Sequence, residues 1–314
     1  MTDIASGPSS APAHVRPEAI KAIPVRHPWR WVSAAVVLVI VGSMVYTVAT
    51  APYMHWDVVW SFLFNQLVLQ GVVLTLELTV AAMAIGIVLG VVLAVMRLSP
   101  NAVMSTISWL YIWFFRGTPL LVQIFFWFNI AIVLPYVGIP GIPQWSISTN
   151  VLIPALAAAI LGLGLNEAAY MAEIVRAGII SIEHGQTEAA QALGMTRLQV
   201  MRRIILPQAM RVIIPPTGNE TISMLKTTSL AFVASVEELF TRAHEIASSN
   251  FRVVELLFVA SIWYLFMTSI LTVGQYYLER YYARGAAREL PATPFQRFRR
   301  LLFTYRVPMP RPQG

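Results

Sequence analysis

Glu188-Ala189-Ala190-x3-Gly194-x9-Ile204-x-Leu206-Pro207 is the stretch on which the reading of this chain turns. It is polar and arginine-bearing, yet it lies between long apolar runs. Gly185 is expected to open a turn. Thr187 can then N-cap a helix starting at Glu188, because its hydroxyl accepts an orphan backbone N–H. Glu188 in the first turn suits the positive end of the helix dipole. Gly194 is expected to end that helix in a left-handed conformation. Thr196-x-x-Gln199 reads as the capping box of a second helix carrying Leu198, Val200, Met201, Ile204 and Ile205, which Pro207 is expected to stop. The first helix offers Ala189, Ala190 and Ala192, small residues that suit a groove on a partner. Taken alone, the segment could also be an amphipathic loop lying on a membrane.

Its surroundings exclude an ordinary soluble domain. Apolar residues make up 57% of the 314 residues and charged residues only 12%, with a mean hydropathy of +0.66. Soluble domains run at roughly a quarter charged. A helix needs roughly 20 apolar residues to cross a bilayer core. Six stretches meet or approach that length, near Trp29–Thr50, Leu69–Met96, Ile107–Leu134, Val151–Ala172, Val212–Val236 and Leu256–Tyr277. The expected fold class is therefore an all-α polytopic membrane protein with about six transmembrane helices.

The basic residues alternate by side. The N-terminal tail carries Arg16, Lys21, Arg26 and Arg30, whereas 51–68 and 135–150 carry none. Arg176, Arg197, Arg202, Arg203 and Arg211 lie between spans four and five, and eight arginines follow from Arg280 on. This places both termini in the cytoplasm and explains the net charge of +7 as topology rather than nucleic-acid binding. There is no cysteine, so thiol chemistry is excluded, and the five histidines show no metal-like spacing. Residues 1–28 read as a disordered tail and 284–314 as a basic tail along the membrane surface. The apolar run of span one exceeds a signal peptide's usual length, which favours a retained helix over cleavage near Ala49-Thr50-Ala51. Residues 51–68, with Trp56, Trp60, Phe62 and Phe64, read as an extracytoplasmic interfacial segment.

Polar groups inside the spans are the candidates for a pathway. Glu77 could face a pathway or sit near the interface. Gly86-x-x-x-Gly90 permits close helix packing. Arg116 stands beside the break expected at Gly117-Thr118-Pro119, as a site of conformational change or as half of an ion pair. Glu173 and Arg176 can pair at i, i+3. Asn166 and Glu167 lie deeper and could touch substrate. Asn219, Glu220, Lys226 and Thr228 make span five too polar for lipid, serving as interhelical glue or lining a cavity.

Five segments in order resemble the membrane subunits of polar amino-acid ABC importers, the histidine/glutamine permease family. They are Gly71–Thr79, Phe114–Gln123, Ala172–Gly178 with Gly185-Gln186, Glu188–Pro207, and Asn219–Leu230, and they span residues 69–283. The resemblance implies a five-helix permease core over 69–283, here with an extra N-terminal helix at 29–50. It implies that 179–211 is the loop that docks an ATPase, through Glu188, Ala189, Ala190, Gly194, Ile204, Leu206 and Pro207. It implies a second permease subunit (identical or related), a pair of ATPase subunits, and an extracytoplasmic amino-acid-binding protein, around a bacterial plasma (inner) membrane. The sequence has no Gly–Lys pair, hence no Walker loop, so ATP-Mg would sit on the partner ATPase and no cofactor on this chain. The chain itself is expected to catalyse nothing. A secondary transporter or channel would leave the docking stretch unexplained, and a membrane enzyme would need a catalytic constellation that the sequence lacks. Glu77 in the pathway would favour a cationic amino acid, and Lys226 there an acidic or zwitterionic one.

Overall fold

The computed structural model describes residues 28–138 and 146–282, so the expected tails, 1–28 and 284–314, lie outside the described residues except for Pro28, which already belongs to the first helix. Residues up to Met54 and residues from His55 form two units. In the first, α1 (Pro28–Ala49) is one helix of 22 residues, matching the expected span to within a residue at each end. Val36–Val41 is apolar without a break, so no polar stripe marks a face; such a helix suits lipid on all sides.

The second unit opens with α2 (Trp56–Leu63), which buries Val59 and Leu63 and leaves Trp60 exposed. Next, α3 (Gln66–Arg97) is N-capped by Asn65, whose side chain accepts from Leu67 N at 2.9 Å. Its buried residues Gly71, Thr75, Leu78, Ala82, Gly86 and Gly90 recur at three- and four-residue steps, which makes one inward stripe. α4 (Ala102–Gly117) and α5 (Leu120–Phe128) meet at a bend of 100°. After α6 (Ile130–Val133), a two-residue antiparallel ribbon pairs β1 (Tyr136–Val137) with β2 (Ile147–Ser148), Tyr136 opposite Ser148. α7 (Thr149–Leu152) and Pro154 lead into α8 (Ala155–Ile180). Two short helices, α9 (His184–Ala192) and α10 (Arg197–Val200), precede a π-helical turn, Met201–Ile205, and α11 (Leu206–Thr227). A 3-10 turn, Thr228–Ala234, then α12 (Leu239–Asn250) and α13 (Val253–Tyr282) complete the described chain.

Four of these helices, α1, α3, α8 and α13, are long and apolar enough to cross a membrane, and the bent α4–α5 pair makes a fifth if counted as one span. The expected span Val212–Val236 appears instead as α11 plus the 3-10 turn. Arg211, Glu220, Lys226 and two prolines keep α11 below the apolarity of the others. Such a helix suits the inside of a bundle rather than lipid.

Glycine brings α3 against α8. A Cβ on Gly86 would stand 2.4 Å from Glu167 Cγ, and one on Gly90 would stand 2.5 Å from Met171 Cβ. Close backbone approach matters here because lipid tails are as apolar as leucine, so packing rather than transfer from water must hold the helices together. Around this contact Leu78, Met83, Ile124, Leu163 and Met224 form a buried cluster across α3, α5, α8 and α11. The interfacial helix α2 is tied to α13: Trp263 Nε1 donates to Leu63 O at 2.7 Å, and Trp56 meets Phe258 edge-on at 5.3 Å. Gly90→Val is expected to lower stability by about 1–3 kcal/mol through overpacking. Thermal unfolding of the purified protein in detergent measures this, with Gly274→Val, where nothing stands within 4 Å, as the control. Equal midpoints for the two variants would refute the α3–α8 contact.

Candidate functional site

The arginine-bearing segment is built by local rules. α9 ends in a Schellman motif: Gly194 takes φ +78°, its N–H donates to Gln191 O at 2.9 Å, and Met195 N donates to Ala190 O at 3.1 Å. Two residues on, the capping box forms as expected, with Thr196 N donating to Gln199 Oε1 at 2.8 Å and Gln199 N to Thr196 Oγ1 at 3.4 Å.

Three expectations for this segment need correction. α9 begins at His184 with Glu183 at its N-cap, so Thr187 lies inside the helix and caps nothing, and Gly185 opens no turn. α8 runs on to Ile180, eight residues past its expected end, and the chain turns at residues 181–183. Ala190 is 5% exposed and so is not offered outward, while Ala189, Ala192 and Glu188 are exposed. Pro207 does not stop the second helix. It occupies the first turn of α11, where its missing N–H leaves nothing unsatisfied. The π-helical turn before it, closed by Leu206 N donating to Met201 O, widens the backbone where a proline ring would otherwise clash. α10 therefore runs into α11 without a loop. The outer face of the segment shows Leu193 at 84% and Leu198 at 76% exposure. Ile204 is half-buried; Leu206 and Pro207 are exposed.

The second region lies among the spans. Pro119 has no N–H for the carbonyl four residues back, that of Phe115. That carbonyl accepts instead from Gln123 Nε2 at 2.9 Å and from Asn166 Nδ2 at 2.9 Å. Gln123 Nε2 also donates to Thr118 Oγ1 at 2.7 Å, and Asn166 Nδ2 reaches Gln123 Oε1 at 3.2 Å. Asn166 is thus engaged in holding the α4–α5 bend to α8.

Arg116 stands just before that bend, its guanidinium 5.2 Å from the ring centre of Tyr170 on α8. Glu220 on α11 lies within electrostatic reach of both Arg116 and Glu167. Glu167 is 3% exposed, and its Oε1 has no hydrogen-bond partner among the described residues. Glu167 and Tyr170 share one face of α8, so Arg116 of α4 lies over the face that carries Glu167. Asn219, next to Glu220 in sequence, accepts from Gln275 Nε2 at 2.9 Å.

The other expected pathway residues do not join this group. Glu77 is exposed and lines a shallow groove of about 330 Å³ with Gln66, Gln70 and Val73. Lys226 is exposed, and Thr228 is buried with its hydroxyl on Leu225 O. Glu173 and Arg176 do pair, at 2.7 Å. A buried hub escaped the sequence reading. Glu238 is 0% exposed and N-caps α12, accepting from Thr241 N at 2.8 Å, while its other oxygen accepts from Tyr264 Oη at 2.6 Å and Thr75 Oγ1 at 3.3 Å. Its signal was the Gly71-x-x-x-Thr75 spacing, since a Cβ on Gly71 would stand 2.8 Å from Leu239 Cα.

Residues 86–284 match the family model described as a binding-protein-dependent transport system inner membrane component. The arginine transport system permease protein ArgU of Corynebacterium glutamicum is 47% identical over 93% of this chain and 92% of its own length. A probable amino-acid permease protein of Bacillus subtilis, YxeN, is 42% identical over 70% of this chain and 94% of its own. Among solved structures, an amino acid ABC transporter with histidines superposes with a TM-score of 0.60 at 35% identity, covering 68% of this chain and 94% of that one. The MetNI methionine ABC transporter shares the fold, with a TM-score of 0.55 at 19% identity over 69% of this chain and 97% of that one.

Gln123→Leu combined with Asn166→Leu should cost more than the two single changes summed, by about 1–3 kcal/mol, because either amide alone can still serve the Phe115 carbonyl. Thermal unfolding of all four proteins supplies the comparison. Strict additivity would refute the shared carbonyl.

Proposed function

The chain belongs to the family of binding-protein-dependent transport system inner membrane components, as a multi-pass permease subunit of an ABC importer, and we propose that its cargo is an amino acid. The names of the relatives support that cargo. The reading extends to a core of residues 69–283 with α1 as a retained extra span, and to both termini in the cytoplasm. It extends also to a partner permease, two ATPase subunits holding ATP-Mg, and an extracytoplasmic binding protein. The chain holds no nucleotide and breaks no bond.

One observation carries the mechanical part: α10, the second helix of the Glu188–Pro207 segment, runs without a loop into α11. Leu193 and Leu198 are its exposed apolar knobs, with Glu188 and Ala189 beside them, and together they suit an ATPase groove. Movement of the ATPase would tilt α10, and α10 would tilt α11. α11 rests on α8 where a Cβ on Gly178 would stand 2.3 Å from Ile213 Cγ1, next to buried Ala209. That contact is the pivot. Beyond it, Pro215 and Pro216 remove two backbone donors and soften the helix below Asn219 and Glu220. Arg116, Glu167, Asn219 and Glu220 are the pathway residues in this reading; Glu77 would line the pathway from the groove on α3.

Two experiments test it. Glu188→Lys reverses a charge on the docking face and is expected to abolish uptake and ATPase co-purification at normal membrane abundance; wild-type uptake would sink the docking assignment. Gly178→Ala crowds the pivot, and its loss of uptake should be relieved by adding Ile213→Ala. A double variant no better than Gly178→Ala would remove the pivot from the mechanism.

A further inference from the structure

α12 is set off from its neighbours in the chain by Ser235 and Phe251, the two non-glycine residues with positive φ among the described residues, at 56° and 58°. Left-handed backbone is unfavourable for any residue that carries a Cβ. Phe251 gains no packing in return, since it is 88% exposed. α12 is therefore a separate rod between two sharp corners, continuous with neither neighbour.

Its apolar grip on the bundle is small. The buried residues are Leu239, Thr241, Ala243, Ile246 and Ala247, while His244, Glu245, Ser248 and Ser249 are exposed. Alanines bury little apolar area and hold an element weakly. The firm attachment is polar, through the fully buried Glu238 at the N-cap. One carboxylate oxygen accepts from Thr241 N at 2.8 Å and Thr241 Oγ1 at 3.1 Å, within α12. The other accepts from Tyr264 Oη of α13 at 2.6 Å and from Thr75 Oγ1 of α3 at 3.3 Å. Thr75 Oγ1 in turn accepts from Leu239 N at 3.2 Å. The nearby cations are engaged elsewhere: Arg242 pairs with Glu237 and Glu245, and Arg252 with Glu255. Thr75 lies nine residues past Gln66, about 14 Å along α3, so the start of α12 reaches inside the bundle, onto the bare backbone of Gly71.

We propose that α12 is a lid on the extracytoplasmic side of the bundle, latched to α3 and α13 by Glu238, and that it swings off them about Ser235 and Phe251 during transport. This rests on the permease reading and its orientation, and adds a moving part to them. Because one carboxylate oxygen holds both neighbours, a single displacement breaks both bonds together, and the lid has two positions rather than a graded series. The choice of a carboxylate fits a part that opens. Four neutral donors compensate its burial only while it is closed, and on release water replaces them. An apolar side chain would hold a static helix at least as well and would lose its contacts outright on opening.

The chain has no cysteine, so labels can be placed singly. Ser248→Cys on the exposed face of α12 and Leu156→Cys at the exposed start of α8 carry nitroxides, and pulsed electron resonance reads the distance between them. The sample is the complex of this chain with its ATPase in lipid nanodiscs, with unlabelled chain in excess. Two distances are expected, in proportions that ATP with vanadate shifts. Without nucleotide, Tyr264→Phe should raise the released population relative to the latched one about 10- to 100-fold, as expected for one lost hydrogen bond to a charged group. Thr75→Val removes a different donor to the same oxygen and should act in the same direction, so the outcome does not hang on one variant. Trp263→Phe, whose indole serves Leu63 of α2 instead, should leave the proportions unchanged. A single distance in every condition would overturn the lid. Two distances that Tyr264→Phe and Thr75→Val leave in their original proportion would overturn the latch. Loss of the ATPase during purification strikes the docking reading instead, and the nucleotide-free comparison of variants still decides the latch.

Discussion

Everything in the membrane half of this chain depends on the bare backbone of α3 at Gly86 and Gly90. With hydrogen in place of a side chain there, α8 approaches until Glu167 and Met171 lie against α3. No hydrophobic driving force favours that approach in lipid, so dispersion across a close fit must supply it. The same contact fixes the depth and facing of α8. That in turn sets Asn166 against the α4–α5 bend. A structural contact at Met171 and the buried carboxylate of Glu167 thus share one helix face, one turn apart.

Two prolines show how context decides the outcome of one chemical defect. Pro119 strands the Phe115 carbonyl, and the chain bends by 100°, with Gln123 and Asn166 supplying the lost donors. Hydrocarbon offers no water to do so, and an unsatisfied carbonyl there costs several kcal/mol. Pro207 has the same defect but falls in the first turn after a π-helical turn, and the axis continues. The first proline makes a rigid corner and the second leaves a rod intact.

Features settled by near neighbours were legible in the sequence. Gly194 and the Thr196–Gln199 capping box involve residues within five positions of each other, so the motif carries its own geometry. The apolar runs gave α1, α3 and α13 closely, because each is longer than any competing pattern allows. The helix start at His184 was not legible, since it depends on how far α8 runs before turning. Glu238 was passed over because Thr75 is 163 residues away from it in sequence, and only the packed bundle joins them. Asn166 read only as deep enough to touch substrate, because depth in a span signals a polar role without saying whether substrate or backbone is the partner. Arg116 and Glu167 were visible as separate charges, and the placing of Arg116 over the Tyr170 face of α8 belongs to the tertiary fold.

The two regions meet in one element. α11 begins at the turn that holds Pro207 and carries Glu220 thirteen residues later, about 20 Å along the axis. A stiff helix over that length would move its far end by as much as its near end. The Pro215-Pro216 pair, with Gly178 facing Ile213 just before it, gives the helix a fixed point and a flexible joint close together. If the proposed docking end rotates, the result would be a shift of Glu220 relative to α8, which is held by its glycine contacts to α3. Because Glu167 stays with α8 and Glu220 travels with α11, such a shift changes the separation of the two carboxylates. In the proposed reading, mechanical input at the start of α11 would act on a single distance, the one between α8 and the far half of α11.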